Sequence, residues 1–403
     1  MSLSQHPQRD RATRLPASRS FNLRSLSPRS LRPRPLRPRP LSLRHAMSRR
    51  MALLVIAGIG LSGVVSACSS STAPSADTGA DTATETSASA AAPTEKAELT
   101  LVSYAVTQTA YEKIIPEFVK QWQEETGQEL IINQSYGGSG SQTRAVLDGL
   151  EADVVALALA LDTQKIEQEG LIEPGWEKEA PNDAIVHKSV AALVTREGNP
   201  KNIEGWDDLA RDDVQVITAN PKTSGGARWN FMALWGEVTQ TGGDEKAAVD
   251  YVTKVYGNAP ILPKDAREAT DVFFQRGQGD VLINYENEVL LAKANGEEQS
   301  YIIPDVNISI DNPVAVVDAN VDKHGTREVA EAFVKFLYTP EAQREFAKAG
   351  FRPVDSTVAA EFAKQYPAVK TLFTVDDLGG WDAVQKKFFD DGAEFDKIQT
   401  KPS

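Results

Sequence analysis

Cysteine is almost absent from this sequence, because Cys68 is the only one among 403 residues. A single cysteine excludes a zinc cluster built from several thiolates. Histidine is also scarce, and only His187 and His324 lie beyond the first 50 residues. A Ser-His-acid triad would need one of these two side chains beside a nucleophile. The chain also lacks a Gly-Lys-Ser/Thr phosphate-binding loop. These absences leave little that could support catalysis.

Charge is distributed unevenly along the chain. Residues 1–50 contain 13 arginines and one aspartate, whereas residues 68–403 carry 30 basic against 55 acidic side chains, a net charge of −25. Such an acidic body argues against a nucleic-acid partner. It would also repel an anion at long range, so an anion site in this body must depend on local hydrogen bonds shielded from water.

The first 46 residues are rich in arginine, proline, serine and leucine. This composition cannot form a core and predicts an extended or disordered basic leader. A complete export signal follows it. We therefore expect translation to begin at Met47 or Met51, with a long leader that is later removed as the alternative.

Residues 47–67 are predicted to be a signal peptide. Arg49 and Arg50 form a short basic region, and the apolar stretch from Met51 to Val65 is too short to span a membrane. The segment Val65-Ser66-Ala67-Cys68 resembles the lipobox of bacterial lipoproteins, which implies cleavage before Cys68 and lipidation of its sulfur. The alternative is a short buried helix with a free thiol, but the position of the lone cysteine favours lipidation. Residues 68–97 are rich in Ser, Thr and Ala and predict a flexible tether.

From Leu99 onward, strand and helix patterns alternate, which predicts a mostly parallel α/β arrangement. Predicted strands are Leu99–Ser103, Glu129–Gln134, Asp153–Leu161, Ala191–Thr195, Val214–Thr218, Val281–Asn284 and Val314–Val317. Predicted helices include one ending at Gly127, which Pro116 should kink or delay. The others are Ser141–Leu150, Ser224–Trp235, Glu245–Tyr256, Ala266–Arg276, Tyr285–Asn295, Thr326–Tyr338 and one capped by Thr339-Pro340. Two alternating sets predict two α/β lobes with a ligand cleft between them.

Two glycine-rich segments, Gly137–Gln142 and Pro221–Asn230, each follow a predicted strand and open a predicted helix. A helix N-terminus offers unpaired N–H groups and the positive end of the macrodipole, so two facing N-termini would trap a small anion. Neither segment contains Asp or Glu, which favours sulfate over protonated phosphate because phosphate needs an acceptor. Asp265 and Glu268 beside Ala266 weaken that preference. The alternatives are a plain strand-to-helix turn and glycines that merely allow close packing.

Six blocks in this order closely resemble the periplasmic sulfate-binding proteins of ABC transporters. They are Val102–Tyr104, Gln134–Gly140, Glu151–Val155, Pro221–Asn230, Gly279–Ile283 and Glu286–Glu288, and the likeness extends from about Glu98 to Lys397. The resemblance implies a two-lobe type II binding-protein fold, with residues 98–187 and 312–352 in lobe 1 and residues 188–311 and 353–403 in lobe 2. It also implies an exported monomer without cofactor or metal, which delivers sulfate to a membrane-embedded ABC permease. With the lipobox, it implies a lipid anchor on the outer face of the cytoplasmic membrane or a place in the periplasm.

The resemblance also implies which residues bind the anion. By position these are Ser139 in lobe 1, the hydroxyl and backbone of Ser224, and the N–H groups of Gly225, Gly226 and Ala266. Ala105 stands where the family often has an aspartate, and a backbone N–H from this position tolerates the change. Tyr285 stands where an indole donor is common. Its phenol can still donate, with ordinary core packing as the alternative.

Other functions receive less support from the sequence. The segment Gly137–Ser141 fails the nucleophile-elbow pattern because its last residue is Ser rather than Gly. An enzyme is therefore not expected, and a secreted hydrolase is the alternative of a different class. A purely structural lipoprotein would have no reason for two donor-rich helix starts. Among ligands, thiosulfate follows sulfate closely, and phosphate, molybdate and polyamines come after it.

Overall fold

The computed structural model describes residues 96–296 and 299–400. The predictions for the basic leader, the signal peptide, Cys68 and nearly all of the tether concern residues outside these ranges. No helix within the described ranges has the length and apolar character needed to cross a bilayer.

Strands and helices alternate over residues 97–168, as the pattern predicts, but further on several strands or several helices follow one another directly. The strands are β1 (Ala97–Tyr104), β2 (Leu130–Gly137), β3 (Val154–Ala156), β4 (Ile185–Ser189), β5 (Ala191–Thr195), β6 (Val216–Ile217), β7 (Val281–Tyr285), β8 (Ser300–Ile302), β9 (Val306–Ile308), β10 (Ile310–Pro313), β11 (Ala315–Val316), β12 (Arg352–Pro353) and β13 (Thr371–Phe373). The helices up to the middle of the chain are α1 (Gln108–Thr126), α2 (Ser139–Leu147), α3 (Ala160–Gln168), α4 (Gly225–Gln240), α5 (Glu245–Gly257), α6 (Ala266–Phe274) and α7 (Glu286–Ala294). The remaining helices are α8 (Asp318–His324), α9 (Arg327–Phe336), α10 (Pro340–Lys348), α11 (Ser356–Glu361), α12 (Gly380–Val384) and α13 (Glu394–Thr400).

Two four-stranded sheets form the centres of the two lobes. The first has the order β11-β3-β1-β2 and the second the order β6-β7-β5-β8. In the first sheet β1 is parallel to β2 and β3, but β11 is antiparallel to β3. In the second sheet β5 is antiparallel to both β7 and β8. The prediction of a mostly parallel arrangement is therefore wrong for these pairs, because β5 and β11 each enter their sheet directly from a connecting strand.

The chain passes between the two sheets on neighbouring strands. β4 leads through Val190 into β5 of the second sheet, and β10 returns from β9 toward β11 of the first. β4 and β10 pair antiparallel, with His187 opposite Asn312, and their side chains are joined by a 3.1 Å hydrogen bond between Nδ1 and Oδ1. This arrangement is a two-lobe α/β fold whose connecting strands lie side by side.

Helix α1 shows how the sequence specifies an element. Tyr111, Ile114, Phe118 and Trp122 recur at helical spacing and are all buried. The helix ends at Gly127, which adopts the left-handed conformation with φ of 72°, so the predicted C-terminal cap is confirmed. Pro116 lies inside α1 on its exposed face, and the helix begins eight residues earlier at Gln108. The expectation of a delayed start is therefore wrong.

The apolar run from Asp153 to Leu161 was expected to form one strand. Only Val154–Ala156 forms a strand, and α3 begins at Ala160. The whole run is buried except for the partly exposed Ala160. Its apolar character therefore reflects burial of a strand, a turn and a helix start together, which periodicity cannot separate.

The C-terminal residues pack on the second sheet's side of the molecule. β13 pairs parallel with β9, and the ring of Trp381 lies edge-on to Trp229 of α4 at 5.0 Å between centroids. Phe231 of α4 contacts the ring of Phe388, with 5.3 Å between centroids. These aromatic contacts hold α4 in place from behind, with its N-terminus pointing at the cavity described next.

Candidate functional site

A small cavity lies where the ends of several elements meet, and it contains about 180 Å³ of space not filled by atoms. A cavity of this size has no room for a drug-sized ligand, so only a much smaller guest suits it. It is lined by Tyr104, Ala105, Val106, Gly137, Gly138, Ser139, Ala158, Ser224, Gly225, Gly226, Asp265, Ala266 and Tyr285. All seven residues that the sequence predicted as ligands are therefore brought together around one space.

Five helical N-termini supply most of this lining. Ala105 begins the short 3-10 helix Ala105–Thr107, Ser139 begins α2, Gly225 begins α4 and Ala266 begins α6, while Tyr285 caps α7. The first N–H groups of a helix have no acceptor within the helix. Each N-terminus also carries a partial positive charge from the aligned peptide dipoles. The cavity is consequently surrounded by donors without containing a cationic side chain in its lining.

Ser224 presents its hydroxyl to the cavity while capping α4. Its Oγ accepts a 3.3 Å hydrogen bond from the N–H of Ala227, which leaves the hydroxyl proton free to donate. The N–H of Ser224 instead donates to the carbonyl oxygen of Asn220 at 2.9 Å. In this structure the backbone N–H of Ser224 is therefore engaged by Asn220, and the hydroxyl is the group that Ser224 can offer to the cavity.

Ser139 differs from Ser224 in how its hydroxyl is used. Its Oγ donates to Oδ2 of Asp162 at 2.7 Å and accepts from the N–H of Ala158 at 3.1 Å. A hydroxyl has one proton, so this one is committed to the carboxylate. Ser139 is the first residue of α2, and its backbone N–H is the group that it can offer to the cavity.

The two glycines that begin α4 allow close approach as well as donation. A Cβ on Gly225 would lie 2.6 Å from the Cβ of Ala158, and one on Gly226 would lie 2.9 Å from the hydroxyl oxygen of Tyr285. Both distances are far inside van der Waals contact. The packing role proposed as an alternative is therefore present. The N–H groups of both glycines lie in the first turn of α4, where no carbonyl of the helix accepts them.

Tyr104 and Tyr285 are the aromatic members of the lining. Both are buried, and neither phenol oxygen has a hydrogen-bond partner among the described residues. Burial raises the pKa of Tyr285 well above its usual value, and the nearby carboxylates of Asp162 and Glu288 add to the shift. Burial likewise raises the pKa of Tyr104. Both phenols therefore remain neutral donors at physiological pH.

A buried ion pair lies directly behind the cavity. Nη1 of Arg228 donates to Oδ1 of Asp162 at 3.0 Å, and Nε of Arg228 donates to the carbonyl oxygen of Pro221 at 3.0 Å. The Asp162 side chain is fully buried. Because Asp162 lies in the first turn of α3 and Arg228 lies on α4, the pair joins the two lobes. Neither Arg228 nor Arg144 lines the cavity, so their charges do not contact a guest there.

Asp265 is the one acidic side chain in the lining. It caps α6, and its Oδ1 accepts the N–H of Glu268 at 2.8 Å. The carboxylate is thus engaged by its own helix. Glu268 accepts the N–H of Lys264 at 3.1 Å and does not line the cavity. Of the two acidic residues expected to weaken the preference for an unprotonated anion, only Asp265 therefore lines the cavity, and its carboxylate caps α6.

Sequence reasoning missed Asp162 and assigned no role to the side chain of Tyr104. Asp162 follows the run predicted as a strand, so its place at a helix start was hidden. Tyr104 was visible as the polar-tipped residue that ends an apolar strand. Within the described residues, no cluster of three or more His, Cys, Asp or Glu is arranged to hold a metal ion.

The chain matches the family described as bacterial extracellular solute-binding protein over residues 99–352. That match covers more than half of the sequence, and the two-lobe fold with its central cavity agrees with it. The chain therefore belongs to this family of solute-binding proteins.

Individual relatives narrow the comparison. A protein of Synechocystis sp. named as a sulfate-binding protein is 64% identical over 306 residues, which cover 76% of this chain and 87% of the relative. A thiosulfate-binding protein of Pseudomonas aeruginosa is 39% identical over 300 residues, 74% of this chain and 90% of the relative. The structure of the sulfate-binding protein SubI from Mycobacterium tuberculosis superposes with a TM-score of 0.67 at 39% identity, covering 73% of this chain and all of the other. These relatives are named as binding proteins, a role without catalysis.

Proposed function

We propose that this protein captures sulfate outside the cytoplasm and delivers it to an ABC permease. One observation carries the proposal: all seven predicted ligand residues line a single small cavity at the N-termini of five helical segments. The donors there are backbone N–H groups and hydroxyls. The names of the relatives add independent support for the ligand.

Sulfate suits such a site because it carries no proton at neutral pH and can only accept hydrogen bonds. Protonated phosphate would need an acceptor for its O–H, and a buried unpaired group costs about 1–3 kcal/mol. The only carboxylate in the lining, that of Asp265, already accepts an N–H from its own helix. The donor set therefore favours an unprotonated oxyanion.

The size of the ligand bounds its affinity. A very small ligand reaches at most about −1.5 kcal/mol per heavy atom, so five atoms give roughly −7.5 kcal/mol. This corresponds to a dissociation constant near micromolar. Calorimetric titration of residues 98–403 with sulfate, thiosulfate, phosphate and molybdate tests the proposal. Binding of phosphate without any binding of sulfate would overturn the ligand assignment.

Thiosulfate is the second candidate ligand. It shares the tetrahedral shape and double negative charge of sulfate, and a relative named for it matches three quarters of this chain. The same titration series separates the two anions by their dissociation constants.

Replacing Ser224 by alanine should weaken sulfate binding by about 1–3 kcal/mol, because its hydroxyl donates to no acceptor among the described residues. Calorimetry of Ser224→Ala against the parent protein measures the loss. Ser139→Ala is the matched control, since its hydroxyl already donates to Asp162. We expect it to affect stability more than anion affinity. An unchanged constant for Ser224→Ala would remove that hydroxyl from the site.

Sulfate affinity should be almost constant between pH 6 and 8. Burial raises the pKa of both Tyr104 and Tyr285 from an ordinary value of 10.0, so the donor form of each phenol persists through this range. Burial also lowers the pKa of His187, which packs near Tyr104, to about 3, so this ring stays neutral. Titrations at pH 6, 7 and 8 check this expectation. A steady change in affinity across the series would indicate a protonated ligand or an ionising group in the site.

We further propose that the protein is a monomeric lipoprotein held at the membrane by lipidated Cys68, on the outer face of the cytoplasmic membrane or in the periplasm. The lipobox-like segment and the acidic, cysteine-free body support this placement. In the producing cell, a Cys68→Ser variant should appear in the soluble exported fraction, whereas the parent protein should remain with membranes.

A further inference from the structure

Of the two phenols that line this cavity, that of Tyr104 goes beyond the ligand set implied by the family resemblance. We infer that Tyr104 is a ligand beside Tyr285, and that this pair of hydroxyls makes the site prefer sulfate to thiosulfate. The inference rests on the proposed function, because it concerns how that same cavity discriminates between two oxyanions.

The two side chains share burial, position and the lack of a partner. Tyr104 is 4% exposed and Tyr285 is 1% exposed, and both line the cavity. Their ring centroids are 6.0 Å apart, and neither hydroxyl has a partner among the described residues. A buried hydroxyl without a partner is costly, so an acceptor within reach of both would stabilise both.

The phenols come from opposite sides of the cleft. Tyr104 is the last residue of β1, where it pairs with Gly137, and Tyr285 is the last residue of β7, where it pairs with Ala191. After burial, the main influence that raises the pKa of Tyr104 is the phenol of Tyr285, so the two polar ends are electrostatic neighbours. An anion between the lobes can therefore meet one hydroxyl from each.

The side-chain hydroxyls of these two tyrosines differ chemically from the backbone donors at the helix N-termini. Backbone N–H groups there are reinforced by helix dipoles, which attract negative charge on any atom. The phenols contribute hydrogen bonds, which depend on a good acceptor. Oxygen is a strong acceptor and sulfur a weak one. Sulfate can accept a hydrogen bond from each hydroxyl through an oxygen atom. Thiosulfate accepts only a weak hydrogen bond wherever its terminal sulfur lies against a hydroxyl.

Removing the hydroxyls should make this end apolar and suited to a polarisable sulfur atom. In calorimetric titrations of the full-length protein, we expect Tyr104→Phe and Tyr285→Phe each to raise the dissociation constant for sulfate by roughly 5- to 150-fold. The constant for thiosulfate should change by less than about threefold. The preference for sulfate over thiosulfate should fall accordingly.

Tyr111→Phe is the matched control. Tyr111 is also buried, and its hydroxyl also has no partner among the described residues, but it does not line the cavity and packs against Phe346. Its replacement should leave both constants unchanged. Thermal unfolding without anion should show that all three Phe variants fold like the parent protein.

Three results would decide the matter. A Tyr104→Phe variant with unchanged sulfate affinity would remove Tyr104 from the ligand set. Equal weakening for sulfate and thiosulfate would overturn the role in discrimination. If the parent protein binds neither anion, the proposed function fails, and that failure is visible before any variant is made.

Discussion

A Gly138→Ala variant should lose about 10- to 100-fold in sulfate affinity while remaining as stable as the parent protein without ligand. Gly138 has φ of −63° and ψ of 134°, which alanine adopts without strain. The obstacle is across the cleft, where a Cβ would overlap the carbonyl oxygen of Thr223 and lie 3.1 Å from that of Lys264. Both neighbours are backbone atoms and cannot rotate away. Overpacking of this kind costs about 1–3 kcal/mol. The cost arises only in the closed state, in which the two lobes are in contact.

Gly205→Ala provides the control for this experiment. Gly205 has an extended backbone, and no heavy atom would lie within 4 Å of an added Cβ. We expect its affinity and thermal unfolding to match the parent protein. Equal affinity for Gly138→Ala and the parent would mean that the anion does not require the close approach of these two lobes.

The second large effect should follow from breaking the ion pair between Asp162 and Arg228. Arg228→Met leaves a fully buried carboxylate with only the hydroxyl of Ser139 and, 3.7 Å away, the ammonium of Lys165. Loss of one partner from a buried pair costs roughly 3–5 kcal/mol, because the remaining charge is shielded from water. Lys165, as the more distant cation, offsets only part of this cost. Urea unfolding with sulfate present should report a decrease of about 3 kcal/mol in the free energy of unfolding.

A double-mutant cycle separates the pair from its surroundings. Asp162→Asn combined with Arg228→Met removes both charges, so the combined loss should be smaller than the sum of the two single losses. Additive losses would mean that the two side chains act independently. The conservative Arg228→Lys variant should recover only part of the stability, since it cannot bond to Asp162 and Pro221 through a planar guanidinium.

Much of the fold could be read from local signals. Gly127 predicted the end of α1, and Thr339 with Pro340 predicted the start of α10, where the Thr339 hydroxyl accepts the Ala342 N–H at 3.4 Å. These features depend on backbone geometry that few residue types satisfy. Strand direction carries no such local mark. β5 pairs antiparallel with its neighbours in the second sheet, and β11 does so with β3 in the first. Both directions follow from how the chain passes between the lobes, which the periodicity of the sequence does not indicate.

The residues that line the cavity were predictable from the sequence, but the hydrogen bonds among them were not. The glycine-rich segments and the family resemblance brought Ser139, Ser224, Gly225 and Gly226 into view, and the structure places all four at one cavity. Which hydroxyl is free and which is committed depends on contacts between residues far apart in sequence. Ser139 and Asp162 are 23 residues apart, and Asp162 and Arg228 are 66 apart. A single sequence does not contain that information.

The hydrogen-bond donors around the cavity are divided between the two lobes, and this division affects how a bound anion would be released. Ala105 and Ser139 belong to the side of β1 and β2, whereas Ser224, Gly225 and Ala266 belong to the side of β6 and β7. None of them carries a charge that would hold an anion at a distance. If the cavity holds sulfate as proposed, moving the lobes a few ångströms apart would remove one lobe's hydrogen bonds to the anion at once and release it. Under the proposed function, a permease would release the anion by opening the two lobes, without a competing ion and without a change of pH.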